Sequence, residues 1–326
     1  MKKKKDWKLS IKRQIPGYAF MLPGFLFIAI YMAYPLVRTF YLSFTKYRLT
    51  DAVPTWIGLK NYIDMFKDET FLIALKNTAV FTLGFFPSVM ILSLIFALLL
   101  DRGVRGSAVF RTCIFLPVVV PLSLTGIIFQ WILNEQYGLL NWFLRDILNA
   151  PGLAQNWLAD PNWAMVSIIV VSVWKNLGIL VVMFMAGLQA ISTDIIEASR
   201  VDGANTMQRI FRIIIPNLKE SFIICGIWAI IQSVKVFEQP FIMTNGGPAN
   251  ATLVLYQYTW LNAFKYMKVS YASSIAYFMG VVILLLSLVN MQVNKSDADK
   301  EMAAAKRRMR QQQRAARRAA KQGGAQ

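Results

Sequence analysis

The chain has 326 residues, 56% of them hydrophobic and 16% charged, with a formal net charge of +18. A soluble domain of this size usually carries about 25% charged residues, so a soluble single-core enzyme, a disordered chain and a collagen-like fibre are excluded. A polytopic membrane protein is the class that fits.

A membrane-crossing helix needs about 20 mostly apolar residues. Six such stretches are read in chain order, at about 18–43, 77–100, 110–133, 164–188, 218–237 and 270–291. The first is too long for a cleavable signal peptide, and no small-residue cleavage site follows it. Pro23 and Pro35 punctuate the first stretch, Pro87 the second, and Pro117 and Pro121 the third. Such breaks are either kinks packed by neighbouring helices or backbone that lines a cavity.

Lys and Arg set the expected orientation. With the N-terminus inside, segments 1–17, 101–111, 189–219 and 292–326 hold 24 Lys/Arg, against 8 in 44–76, 134–163 and 238–269. Both termini are therefore expected in the cytoplasm. The stretch from Asp297 to Gln322 can form a basic helix on lipid headgroups, where each Lys or Arg contributes about 1 kcal/mol. A solvated tail is an equal reading, and RNA binding a weak third. Cys113 and Cys225 lie in or beside apolar runs and imply no disulfide framework. The chain has no histidine, which removes His-based catalysis, metal binding and pH sensing.

The segment 190–216 is too long for a hairpin turn between spans four and five. Asp194 can cap a helix, with Glu197 returning a bond to the cap. Ala198, Ser199, Gly203 and Ala204 are small. Ser199 and Gly203 are four apart and so share a helix face, a smooth one that lets another surface approach closely. Alternatively, Gly203 ends the helix and turns the chain. Ile210, Phe211, Ile214 and Ile215 form an apolar stripe with Arg209 and Arg212 between them, and Pro216 marks the break before span five. A short helix joined rigidly to two spans can convey force from a docked partner. It can equally be a loop helix packed under the bundle.

Glu197-Ala198-Ser199, Asp202-Gly203-Ala204 and Ile213-Ile214-Ile215-Pro216 resemble the EAA loop of binding-protein-dependent ABC importer permeases. Ser199, Ile215 and Ile210 depart from the family pattern, each keeping small size or apolarity. Gly58-Leu59-Lys60-Asn61-Tyr62, Arg111-Thr112 with Leu116-Pro117, Trp174 with Gly178, Gly187-Leu188-Gln189 and Thr244-Asn245-Gly246-Gly247-Pro248 resemble the carbohydrate-uptake branch of that family. The likeness covers most of 18–291, without the basic tail.

The resemblance implies an all-α polytopic protein of six transmembrane helices with the type I ABC importer permease fold. It implies a core domain at 77–291, preceded by a first helix and external loop at 18–76. The expected partners are a second homologous permease, two ATP-binding cassette subunits, an extracellular or periplasmic solute-binding protein, a sugar substrate and membrane lipids, with no nucleic acid. The expected place is the cytoplasmic membrane of a prokaryote. Coupling to the ATPase is implied for Glu197, Ala198, Ser199, Arg200, Asp202, Gly203 and Ala204. Arg200 and Asp202 can instead pair with each other or face solvent. The chain lacks a G-x-x-x-x-G-K-[ST] loop and any Gly-Lys pair, so ATP hydrolysis is expected on a separate subunit. No metal or cofactor is implied.

Aromatic faces and planar polar side chains suit neutral sugars. Trp174, Asn176, Gly178, Gln232, Ser233 and Phe237 are therefore the substrate candidates, falling near stretches that line the sugar site in the resembling family. The aromatics fit an interfacial belt or plain packing equally well. Lys175 either snorkels to the outer surface or faces the bundle. Lys235 and Glu238 lie near the end of span five, and Gln130 and Trp131 are weaker candidates. Two rival readings stay open. One is a secondary transporter, against which stands the lack of an acidic residue mid-span. The other is a membrane anchor for an RNA-associated or ribosome-associated complex, based on the basic tail. Within the favoured class, a polyol, glycerol phosphate or peptide substrate also stays open.

Overall fold

The computed structural model describes residues 17–101 and 106–294. Most of the two basic tails lies outside the described residues. Among the described residues, five helices are long and apolar enough to cross a membrane, and a bent helix pair supplies a sixth crossing if counted as one span. The expected continuous span at 110–133 is that pair: its two helices meet at 101°. Pro121, in the link, has no N–H to continue the ladder, and Val120 before it is extended with ψ 130°.

The long helix α1 (Gly17–Ser43) contains a wide turn at Ala29–Ala33. Pro35 follows that turn and cannot donate to the carbonyl four residues back, which a widened turn accommodates. A two-residue antiparallel ladder, β1 (Thr45–Lys46) and β2 (Thr55–Trp56), pairs Thr45 with Trp56. Then come α2 (Lys60–Met65), α3 (Glu69–Asp101), and the bent pair α4 (Ser107–Val119) and α5 (Leu122–Ile132). Short α6 (Leu139–Trp142) precedes α7 (Pro161–Gln189). Next are α8 (Thr193–Val201) and α9 (Thr206–Arg209, extended by turns at Ile210–Ile214 and Ile215–Asn217). The chain closes with α10 (Lys219–Val234), α11 (Glu238–Thr244), α12 (Leu255–Trp260) and α13 (Val269–Val293). Span two thus begins eight residues before its expected start at 77. The fifth expected span, 218–237, is helical from Lys219 to Val234, and a second helix begins just past its expected end at Glu238.

Contacts divide the chain into two compact units. The first holds the described residues up to Leu72 and returns for Tyr258–Gly280. Its order is polar. Gly58 has φ 61°, a left-handed value that favours glycine, and it turns the chain into α2. Asn61 then donates to the carbonyls of Ser43 at 2.9 Å and Thr45 at 2.8 Å. Tyr62 donates its hydroxyl to Ser43 Oγ. The phenols of Tyr258 and Tyr271 both donate to Asp68 Oδ2, at 2.5 and 2.7 Å. Asp68 Oδ1 accepts from the N–H groups of Thr70 and Phe71, capping α3. Partial burial pushes the Asp68 carboxyl up, but these four hydrogen bonds outweigh it and hold the group below the ordinary aspartate range. The Tyr258 phenol is pushed up by burial and by the carboxylate it faces.

The second unit holds Ile73–Gln257 and the described residues from Val281. Its core follows helical spacing: Phe81, Phe85 and Val89 on α3 meet Ile168, Val171, Leu180 and Phe184 on α7. Small residues set the distances. A Cβ on Gly84 would lie 2.7 Å from Ile169 of α7. Asn77 donates to the carbonyls of Asn250 and Leu253, and Thr78 Oγ1 accepts from the Leu255 N–H.

Candidate functional site

Two places in the second unit concentrate the candidate residues. The first is the connector from α7 to α10. Ser192 is the N-cap of α8, its Oγ accepting from the Asp194 N–H at 3.3 Å. The expected cap at Asp194 is corrected: Ser192 has extended backbone, whereas Asp194 already lies in the first helical turn. Gly203, with φ 75°, lies one residue past the C-cap Asp202. Its N–H donates to Arg200 O, and the Ala204 N–H reaches Ser199 O at 3.0 Å. These two bonds form the Schellman exit from a helix, which needs a left-handed residue there. Gly203 thus ends α8 and shares no helix face with Ser199. One residue after Ala204, Asn205 opens α9 with a full capping box: its side chain accepts from the Gln208 N–H, and Gln208 returns the bond.

Glu197, Ala198, Arg200, Asp202 and Gly203 are exposed, and Ala204 is half-buried. Ser199 faces inward, 5% exposed, with its hydroxyl on the Ile196 carbonyl. Val201 is 88% exposed, Met207 66% and Phe211 65%. These apolar side chains stand exposed beside the charged Glu197, Arg200 and Asp202. Val201 and Met207 were not singled out from sequence.

The second place is a cleft of about 170 Å³ between α7, α10 and the α4–α5 break. Asn176 and Gln232 both line it, with Lys175, Lys235 and Glu238. The other four substrate candidates lie elsewhere. Trp174 is 42% exposed and edge-on to Phe129. A Cβ on Gly178 would lie 2.5 Å from the Ile114 carbonyl, so this glycine lets α4 approach α7. Ser233 is fully buried and bonds the Ile230 carbonyl. Phe237 stacks on Phe241 and meets Tyr256 edge-on. Of the weaker candidates, Gln130 donates to the carbonyls of Ile242 and Met243, and Trp131 is 70% exposed.

Ser172, Trp228 and Gln239 also line the cleft and had no sequence signal. Ser172 is 1% exposed, and its Oγ has no hydrogen-bond partner among the described residues. Asn176 spends its amide N–H on the Ser172 carbonyl at 2.8 Å. Lys175 does not snorkel: it is 6% exposed and its ammonium bonds main-chain carbonyls at the break. Among the described residues no His, Cys, Asp and Glu cluster could hold a metal ion.

Residues 67–295 match the family of binding-protein-dependent transport system inner membrane components. The chain belongs to that family. This permease is 33% identical over 291 residues to the probable ABC transporter permease protein YurN of Bacillus subtilis, covering 89% of this chain and 99% of that one. It is 32% identical to the sulfoquinovosyl glycerol transport system permease protein SmoG of Agrobacterium fabrum, over 87% of this chain and 92% of the relative. A bacterial ABC transporter that imports the acidic polysaccharide alginate matches the permease with a TM-score of 0.74 at 22% identity, over 89% of this chain and 98% of that one. The shared fold is the type I importer permease, and the chain is a transport subunit of an ABC importer.

Proposed function

We propose that this permease carries a sugar or oligosaccharide into a prokaryotic cell. It forms half of the pore with a second homologous permease. Two separate ATPase subunits drive it, and an external binding protein feeds it. Both termini lie in the cytoplasm, which puts the α8–α9 connector on the ATPase side, in line with the Lys and Arg distribution. Glu197, Ala198, Arg200, Asp202, Gly203 and Ala204 form the ATPase contact, widened by Val201 and Met207, while Ser199 anchors α8 from its inner face.

The cleft carries the solute class. A buried, unpartnered hydroxyl on Ser172 stands beside Asn176, Gln232 and the Trp228 ring. Planar amides, a hydroxyl and an aromatic surface suit a polyhydroxylated ring better than an ion or an apolar solute. The named solutes of relatives, sulfoquinovosyl glycerol in SmoG and lactose in the permease LacF of Rhizobium radiobacter, point the same way. Trp174, Gly178, Ser233 and Phe237 support the walls around this path rather than its lining. Family membership sets the stand-alone secondary transporter aside.

The test is affinity purification of a tagged chain in mild detergent, native against Glu197→Ala with Gly203→Asp. The native chain should bring down an ATPase and a second permease, and the variant should lose the ATPase alone. Recovery of neither by a correctly inserted native chain would sink the coupling role. Uptake of a panel of labelled saccharides, polyols and amino acids then checks the solute class.

A further inference from the structure

The break between α4 and α5 leaves main-chain carbonyls without helical partners. The carbonyl of Pro117 would take its hydrogen bond from residue 121, which is proline and has no N–H. The N–H that would serve Val118 belongs to Leu122, the first residue of a helix turned away by 101°. Val120 lies in the extended link itself. Orphaned carbonyls in a membrane interior are costly, and irregular backbone persists there only where protein or trapped water satisfies it.

The Lys175 ammonium meets all three. Nζ donates to Pro117 O at 2.5 Å, to Val118 O at 3.1 Å and to Val120 O. An ammonium has three N–H donors and no acceptor, so these bonds use its whole capacity. A cation beside carbonyls at a helix C-terminus is also favoured by the helix dipole. Gly178, on the same face of α7 one turn later, brings the Ile114 carbonyl of α4 within reach of its backbone. The two residues pin one helix against the other. Val118 and Leu122, which flank the break, line the cleft with Lys175 itself.

We infer that Lys175 is a positioning residue for transport: it replaces the missing donors of the broken span and so fixes the Val118–Leu122 wall of the cleft. This rests on reading the cleft as part of the solute's path. The lysine does not contact solute, because its donors are all spent on the main chain.

The experiment uses the complete transporter, reconstituted in proteoliposomes, in a Cys113→Ala, Cys225→Ala background. Leu122→Cys reports on the wall through its rate of reaction with a small water-soluble methanethiosulfonate. Transport is measured without that cysteine. Lys175→Met should raise the labelling rate several-fold. It should lower Vmax about tenfold, comparable to losing a hydrogen bond or two, while KM for the loaded binding protein stays at the native value. Lys175→Arg should restore both, since a guanidinium also donates to several carbonyls. Unchanged labelling in Lys175→Met would overturn the proposal whatever happens to transport. Raised labelling with native transport would instead take the cleft off the solute's path, and the role in transport would fall with it. If Lys175→Met is not recovered from membranes, Lys175→Gln replaces it. Glutamine is one bond shorter with two donors and should give intermediate values; native values there overturn the proposal.

Discussion

The connector and the cleft handle backbone polarity in opposite ways. In the connector, every turn is closed by a residue within a few positions: Ser192 for the start of α8, Gly203 for its end, Asn205 and Gln208 for the start of α9. Glu197, Arg200, Val201 and Met207 stay exposed beside these closures. At the α4–α5 break beside the cleft, the backbone is closed by a side chain more than fifty positions away. The connector's backbone therefore rests on local chemistry, and that of the broken span on distant chemistry. Substitutions should separate the two.

The largest effect is expected where α4 packs against α7. Gly178→Leu drives a side chain into the Ile114 carbonyl, and such overpacking costs about 1–3 kcal/mol or more. The yield of folded permease should collapse, and its melting temperature in detergent should drop by several degrees. In the connector, Gly203→Val places a β-branched residue at φ 75°. Strain of about 1–2 kcal/mol falls on one turn. Uptake should fall about tenfold with the spans still inserted, which protease mapping can verify. Val201→Asp should leave thermal stability alone and weaken ATPase recovery in pull-downs by a similar factor, because an interface would have to bury the new charge.

A smaller effect belongs to the first unit and serves as a control for both regions. The Asp68 carboxyl titrates lower in the fold than in the unfolded chain. Its contribution is present above the unfolded value and is lost as pH falls below about 4. Asp68→Asn should lower the melting temperature at pH 7 and flatten that acid dependence, with ATPase recovery unchanged. The smallest effect is Ser172→Ala. An unpartnered buried hydroxyl contributes nothing to stability, so its removal should be neutral or slightly stabilising, while KM for uptake rises a few-fold. A loss of stability would mean the hydroxyl has a partner, and would count against the cleft as a solute site.

Spans, the small-residue connector and the family likeness were legible because each is written in local pattern: apolar runs of membrane length, and Asp202-Gly203-Ala204 at a helix exit. The third span was legible as an apolar stretch with two prolines, but not as a 101° bend, because proline licenses a break without setting its angle. The cap moved from Asp194 to Ser192 because two oxygen-bearing side chains stood two positions apart, and backbone geometry chose between them. Of the six substrate candidates, Asn176 and Gln232 reached the cleft. Residue type identified side chains able to bind a sugar, whereas orientation around α7 and α10 decided which of them face inward. Lys175 was visible as an anomaly, yet its partners are carbonyls, which no side-chain pattern reveals.

The back-to-back closures at Gly203 and Asn205 also bear on how the connector could change over time. Between the end of α8 and the start of α9 there is no slack residue: each position from Asp202 to Asn205 is committed to one cap or the other. A deletion or insertion there would not merely shorten or lengthen a loop. It would leave the Gly203 exit or the Asn205 capping box without one of its bonding positions. Length at this elbow is fixed by the two caps, and drift should be tolerated in residue identity long before it is tolerated in residue number.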